Sequence, residues 1–259
     1  MSNLDPLKPL YTISIIGYGN VAQQLITAFS AIKTIKIVQL LVRNHNKTTI
    51  SHNQVEIISE MHQLKPVDLM IIAVTDDAIA SVSEQIPIEN QLVAHTSGTV
   101  SINKLANHLQ KAVFYPLQSI SKNIKMNFKN VPICLETKDE SKMDLLKLIA
   151  QKISDNTVTI DSKQRNTLHI AAVFANNFTN LMYDIAHEIC KENNIPFSIL
   201  KPLIQETALK INDLNPKEAQ TGPAKRKDFE TIENHINLLQ NDTYRKIYQI
   251  LTQTIIANA

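Results

Sequence analysis

The chain has 259 residues, 44% of them hydrophobic and 19% charged, which is enough apolar content to fold around a sizeable core. Its 26 Lys and Arg against 24 Asp and Glu leave a formal charge of +2, with no Lys/Arg stripe interleaved with aromatics, so nucleic acid is not an expected partner. No apolar run reaches the roughly 18–20 residues of a membrane span, the N-terminal residues 1–8 have no apolar signal-peptide core, and Cys134 and Cys190 show neither disulfide nor metal-ligand spacing; these features predict a cytoplasmic protein without a bound metal.

In chain order, the first strong run is 10–16 (LYTISII), apolar and β-branched, which predicts a strand. It leads directly into Gly17-Tyr18-Gly19-Asn20-Val21-Ala22 and a helix reaching residue 32. Further strands are predicted over 35–42, 69–74, 92–95, 112–115, 131–135 and 158–160. Helices are predicted over 78–85, 101–109 and 142–153. Continuous apolar strands alternating with helices predict a doubly wound, mostly parallel α/β sheet covered on both faces. After Asp161 no strand pattern remains. One long helix over 163–192, a second reaching residue 212, a loop over 214–228 and helices over 229–240 and 242–257 predict an all-α C-terminal domain. The expected boundary separates domains 1–161 and 162–259.

Only four residues are glycine, against a usual share of about 7%, so each needs a reason. Gly17 and Gly19 stand in a G-x-G-x-x-A pattern between a strand and a helix, the context of a dinucleotide-binding turn. Gly17 allows the tight turn, Gly19 the approach of a pyrophosphate, and Ala22 close packing of helix on strand. An acid at the end of the second strand would accept from the ribose of NAD; the sequence offers Arg43, Asn44 and Lys47 instead, which suit a 2′-phosphate. NADP(H) is therefore the expected cofactor. Val74-Thr75-Asp76 and Ser97-Gly98 follow strands on the same ligand face, near the ribose and nicotinamide. Asp76 is read either as a cofactor residue or as a helix N-cap.

At 100° per residue, His169, Val173, Asn176, Asn180, Tyr183 and His187 share one stripe of the long helix. The stripe either lines a cleft or forms a solvated or interhelical polar seam. Gly222-Pro223, followed by a basic run and Asp228, either clamps an anion or caps the next helix.

These motifs together resemble a family. IIGYGNVA (15–22), AVTDDAI (73–79), HTSGT (95–99), YPLQSIS (115–121), HIAAVFANNF (169–178) and TGPAKRKD (221–228) are similar, in this order, to Rossmann-like proteins with a C-terminal helical domain of unknown function. Those proteins stand near the deazaflavin-dependent NADP oxidoreductases, pyrroline-carboxylate reductases and β-hydroxyacid dehydrogenases. The resemblance implies a Rossmann-like NADP(H)-binding domain and a helical domain that supports a homodimer. It also marks two departures. The β-hydroxyacid dehydrogenases carry a catalytic Lys one turn before an Asn, where this chain has Val173 and Phe174 ahead of Asn176. The final motif reads KRKD where relatives carry Arg-Gly-Asp, which leaves Asp228 in place.

The expected function is an NADP(H)-dependent oxidoreductase moving hydride to or from a small anionic carbonyl or imine. His169 is the candidate acid/base, Asn176 orients the substrate, and Ser97 holds the reacting centre. Asn180, Gly222, Pro223 and Asp228 are the candidate substrate residues. The competing reading is a non-catalytic NADP(H)-binding sensor or scaffold.

Overall fold

The computed structural model describes residues 10–43, 55–121 and 126–258. Eight strands form one sheet: β1 (Tyr11–Ile16), β2 (Ile35–Leu41), β3 (Glu56–Ile58), β4 (Leu69–Ile72), β5 (Leu92–His95), β6 (Gln110–Pro116), β7 (Ile133–Thr137) and β8 (Thr157–Thr159). Their order is β3-β2-β1-β4-β5-β6-β7-β8, and every pairing is parallel except β6 with β7. The fold is thus an α/β doubly wound, Rossmann-like sheet, followed by a helical C-terminal region. The strand sequence reverses between β1 and β4, and ligands of open parallel sheets bind beyond the carboxyl ends at such a point.

The central strands are apolar throughout because both faces are covered. Ile13, Ile15, Leu69 and Ile71 pack on one face, with Ile16, Met70, Ile72 and Val93 on the other. Helix α1 (Asn20–Ser30) buries Ala22, Leu25, Ile26 and Phe29, an i, i+3, i+4, i+7 stripe, against the first face. Helix α3 (Glu140–Ile153) covers the same face with Leu146, Ile149, Ala150 and Ile153, its N-terminus capped by the Asp139 carboxylate. The short α2 (Ile79–Glu84) lies on the opposite side through Ile79.

The remaining helices are α4 (Ser162–Ala172), α5 (Thr179–Glu192), α6 (Lys201–Lys210), α7 (Pro216–Ala219), α8 (Pro223–Arg226), α9 (Phe229–Leu238) and α10 (Asp242–Asn258). By internal contacts the chain forms two compact units, one running to Phe174 and one from Ala175 onward. The first unit therefore includes α4, beyond the end of the sheet. Within the second, Arg245 of α10 donates to the Leu239 carbonyl at 2.7 Å, and His235 pairs with the Tyr248 hydroxyl at 2.9 Å, tying α9 to α10.

Four elements differ from the expectation. Strand β3 is only three residues long at the sheet edge, too short to stand out as a pattern. Residues 101–109 form a single 3-10 turn, Ile102–Lys104, not a helix. Their Ile102, Leu105 and Leu109 are buried as a helix would require, but Asn103, Asn107 and His108 are poor helix formers and Leu105 is extended. The expected loop over 214–228 instead contains α7 and α8, each with Pro at its first turn. The long helix from 163 is interrupted by a π-helical segment, Val173–Phe178. Because a π turn carries an extra residue, one 100° repeat cannot run from His169 through Asn180, Tyr183 and His187.

Candidate active site

The turn after β1 is fixed by its backbone. Gly17 has φ +107°, a conformation costly for any residue with a Cβ, and a Cβ there would run into the Ala73 carbonyl. Its N–H donates to the Leu41 carbonyl at 2.9 Å. Gly19 then forms the N-cap of α1 in extended conformation, with no side chain closing the cap and open space where its Cβ would stand. The first-turn N–H groups and the positive end of the helix dipole consequently face outward. Ala22 is fully buried beneath them.

This turn borders a cleft of about 1300 Å³, lined entirely by residues of the first unit. Gly17, Tyr18, Gly19, Asn20 and Val21 form its middle. Arg43, Ser59, Glu60 and Met61 line the end beside β2 and β3. Val74 and Thr75 after β4, Thr96 after β5, and Tyr115 and Pro116 of β6 line the other. The strand order thus stretches the cleft across the switch point, with a basic group at one end and a phenol at the other. Asn44 and Lys47 lie outside the described residues.

At the β5–β6 end, polar groups lock one another. Ser97 Oγ accepts from the N–H groups of Thr99 (3.1 Å) and Val100 (3.0 Å), and Thr99 Oγ1 donates to the Asp76 carboxylate at 2.6 Å. Ser97 is thereby occupied in shaping its own turn. Asp76 opens a 3-10 turn whose N-cap position is Thr75, so Asp76 is not the N-cap that one of its two readings made it. Asp76, Ser97 and Gly98 are not among the residues lining the cleft. His95 is buried and pushed down to about 4, mainly by desolvation and further by the Arg165 charge; its Nδ1 accepts from the Ser97 N–H at 3.2 Å.

Helix α4 is pinned onto this turn. The Arg165 guanidinium, fully buried, pairs with the Glu136 carboxylate of β7 and donates to the Val100 carbonyl. Ser162 Oγ donates to the same carboxylate at 2.8 Å. With its amide nitrogen turned toward them, Asn166 donates to the Thr99 carbonyl (2.9 Å) and the Gly98 carbonyl (3.3 Å). One turn further, His169 Nδ1 stands 3.1 Å from the Tyr115 hydroxyl. A Cβ on Gly98 would lie 2.7 Å from that Nδ1 and 2.8 Å from Tyr115 Cζ. Gly98 therefore makes room for the Tyr115–His169 pair.

The matches to known proteins follow this architecture. A family model described as a domain of unknown function (DUF2520) matches residues 131–255. The crystal structure of a protein from Bacteroides fragilis, titled a putative NADP oxidoreductase, is 36% identical, with a TM-score of 0.85 over 96% of this chain and 99% of that one. The chain belongs to the family of that protein, a Rossmann-like fold with a DUF2520 region. A protein from Thermotoga maritima is 20% identical, with a TM-score of 0.73 over 95% of this chain and 98% of its own. The NADP-bound pyrroline carboxylate reductase of Plasmodium falciparum shares the fold at 12% identity, with a TM-score of 0.63 over 96% and 98% of the two chains. No curated protein matches the sequence.

The DUF2520 region of this chain begins at β7 and so contributes Glu136, Arg165 and His169 to the first unit. The other expected substrate residues belong to the second unit. Asn176 and Asn180 are exposed, Asn176 within the π segment. Gly222 and Pro223 begin α8. Asp228 is the N-cap of α9: it accepts from Thr231 N at 3.1 Å and Thr231 Oγ1 at 2.9 Å, which holds its carboxyl below the usual range. Of the two readings of this loop, the helix cap is the one its contacts display.

Tyr115 was visible in the sequence only as the first residue of the YPLQSIS motif, with no role attached, and Arg165 and Asn166 were missed. The only available signals were a Tyr-Pro pair closing a strand and a lone Arg on the inner side of a helix, and neither has a fixed spacing to its partners.

Proposed function

We propose that the protein is an NADP(H)-dependent oxidoreductase that reduces, or in reverse oxidises, a small anionic carbonyl or imine compound. The observation that carries this reading is the single cleft running from Arg43, past the glycine turn, to Tyr115 and the His169 behind it. The residues present fit a dinucleotide: an open helix N-terminus and a Gly19 without a neighbour suit a pyrophosphate, and Arg43 at the β2 end suits a 2′-phosphate. Tyr18, Asn20, Val21, Val74 and Thr75 would contact the cofactor. When bound, that cofactor supplies the hydride. The chain then needs only to orient the substrate and provide one proton.

In this reading His169 serves the proton step, Ser97 and Gly98 hold the turn against which it is set, and Asn176 and Asn180 orient the substrate. Residues 1–161 carry the cofactor and 162–259 the substrate contacts and a homodimer interface. The dimer is supported by large apolar side chains exposed along the helical unit, Phe229, Leu238 and Ile250 among them. Two free cysteines agree with a reducing compartment such as the cytoplasm, and no helix among the described residues is long and apolar enough to cross a membrane.

The test is direct. NADPH and NADH are titrated separately by cofactor fluorescence, then keto acids, aldehydes and cyclic imines are offered with NADPH and followed at the cofactor absorbance. NADPH binding tighter than NADH, with oxidation above background for one class, is the expected result. NADPH binding without turnover of any class would favour the sensor reading, which the absent helix Lys keeps open.

A further inference from the structure

We infer that the Tyr115 hydroxyl is the catalytic proton donor to the substrate heteroatom, and that His169 is a positioning residue whose Nδ1–H is donated to the phenol oxygen. This rests on the proposed reductase function and names the group that completes it.

Three observations converge. First, Tyr115 lines the cleft and His169 does not, so the phenol is the member of the pair that a ligand in the cleft can touch. It stands at the end opposite Arg43, where a dinucleotide with its 2′-phosphate on Arg43 would present its reactive ring. Second, the other hydroxyl side chains at that end are engaged: Thr96 Oγ1 is directed at the Ile72 carbonyl (3.5 Å), and the Thr75 hydroxyl is hydrogen-bonded to the Asp77 carboxylate. Third, the pair is preorganised. Arg165 and Asn166 anchor α4 on the β5 turn, and the missing Cβ of Gly98 leaves just enough space for the two rings. Such fixed donors cost no reorganisation when charge develops.

The chemistry balances. As hydride reaches the substrate carbon, the electron pair of the C=O or C=N bond moves to the heteroatom. The Tyr115 O–H bond breaks, the new O–H or N–H bond forms, and the phenolate keeps the bonding pair. Burial pushes the Tyr115 phenol up, so it holds its proton until that moment, and the Nδ1–H of His169 then stabilises the phenolate. Water in the open cleft returns the proton after product leaves. If Nδ1 instead accepted from the phenol, the proton would point away from the substrate, so the direction of this one hydrogen bond decides the mechanism.

The test uses the full-length protein and its Tyr115→Phe, His169→Ala and His169→Asn variants. NADPH is the cofactor, and 2-methyl-1-pyrroline, glyoxylate, pyruvate and propionaldehyde are the probes. General acids contribute about 100-fold or more, so Tyr115→Phe should lower kcat by about that factor with NADPH affinity unchanged. His169→Ala should lower kcat about tenfold at unchanged KM, and His169→Asn, whose amide can place a donor near Nδ1, should recover part of it. Independently of turnover, ¹⁵N NMR of the cofactor-free protein should find a proton on His169 Nδ1, lost or moved in Tyr115→Phe. Equal kcat for wild type and Tyr115→Phe, or an unprotonated Nδ1, overturns the inference and leaves the reductase reading standing. No oxidation of NADPH by wild type with any probe overturns the reductase reading, and this inference with it.

Discussion

The two compact units handle their apolar residues in opposite ways. In the first, the central strands have side chains such as Ile13, Ile15, Leu69, Ile71 and Val93 at zero exposure, closed between helices. In the second, only Cys190, Ala224, Ile232 and Thr252 are buried among the described residues, while Phe229, Leu238 and Ile199 stand more than 60% exposed. A sheet covered on both faces completes its own core. A set of helices with one apolar stripe each does not, until something covers the stripes. The first unit accordingly contains a finished cleft, whereas the second presents surface.

The largest effect is expected where that contrast is sharpest. Phe229→Asp combined with Leu238→Asp should convert the proposed dimer into a 29.1 kDa monomer by light scattering, with the cleft unaffected. A wild type that is already monomeric would break the comparison, because the exposed side chains would then be tolerated alone. Next comes the sheet unit's buried ion pair. Glu136→Gln leaves the Arg165 guanidinium, at zero exposure, without its carboxylate. Removing one partner of a buried pair costs about 3–5 kcal/mol, so the urea midpoint should fall strongly. A change below about 1 kcal/mol would mean that the Val100 carbonyl and Ser162 Oγ suffice to stabilise Arg165.

His95 offers a pH-dependent version of the same test. Its folded-state value of about 4 lies below the ordinary 6.5, because burial and the Arg165 charge disfavour the imidazolium. As pH falls through 6.5, the unfolded chain takes up the proton first, and the folded chain follows only near 4. Stability contributed by this group is therefore complete above the ordinary value and is lost between about 6.5 and 4. The loss is on the order of 3 kcal/mol. Urea unfolding across that window should show the slope in wild type and a much flatter one in His95→Asn. Equal slopes would assign the effect to other groups.

Much of the sheet unit could be read along the chain because its signals are local. The run 10–16, the glycine turn and Arg43 follow one another within about 30 residues, and strand–turn–helix patterning needs no knowledge of the rest. The pair at the far end of the cleft was only half visible. His169 stood out as a polar residue in an apolar helix, but its partner Tyr115 is 54 residues away and is reached through Arg165, Glu136 and Gly98, whose pairings no spacing encodes. The helical unit misled for a different reason. A regular 3.6-residue period was extended through residues 173–178, where the backbone adopts π geometry, and sequence periodicity has no term for that insertion. Asp228 shows the converse: an acid after a turn signals a cap and a ligand site equally, and only its bonds to Thr231 separate them.

The smallest effect concerns the choice of cofactor at the β2 end of the cleft. Arg43 is exposed, so its contact with a 2′-phosphate would be formed largely in water. A charge-assisted bond is worth about 1.5–3 kcal/mol when shielded and considerably less when solvated, which favours the lower end of that range. Arg43→Ala should therefore weaken NADPH binding about tenfold, while NADH, which has no 2′-phosphate, should bind as in wild type. Raising the salt concentration should narrow the wild-type preference for NADPH and change the variant little, because screening acts on a charge the variant no longer has. If both cofactors weaken equally, Arg43 only shapes the cleft wall, and the preference comes from other residues, Asn44 and Lys47 being the next to test.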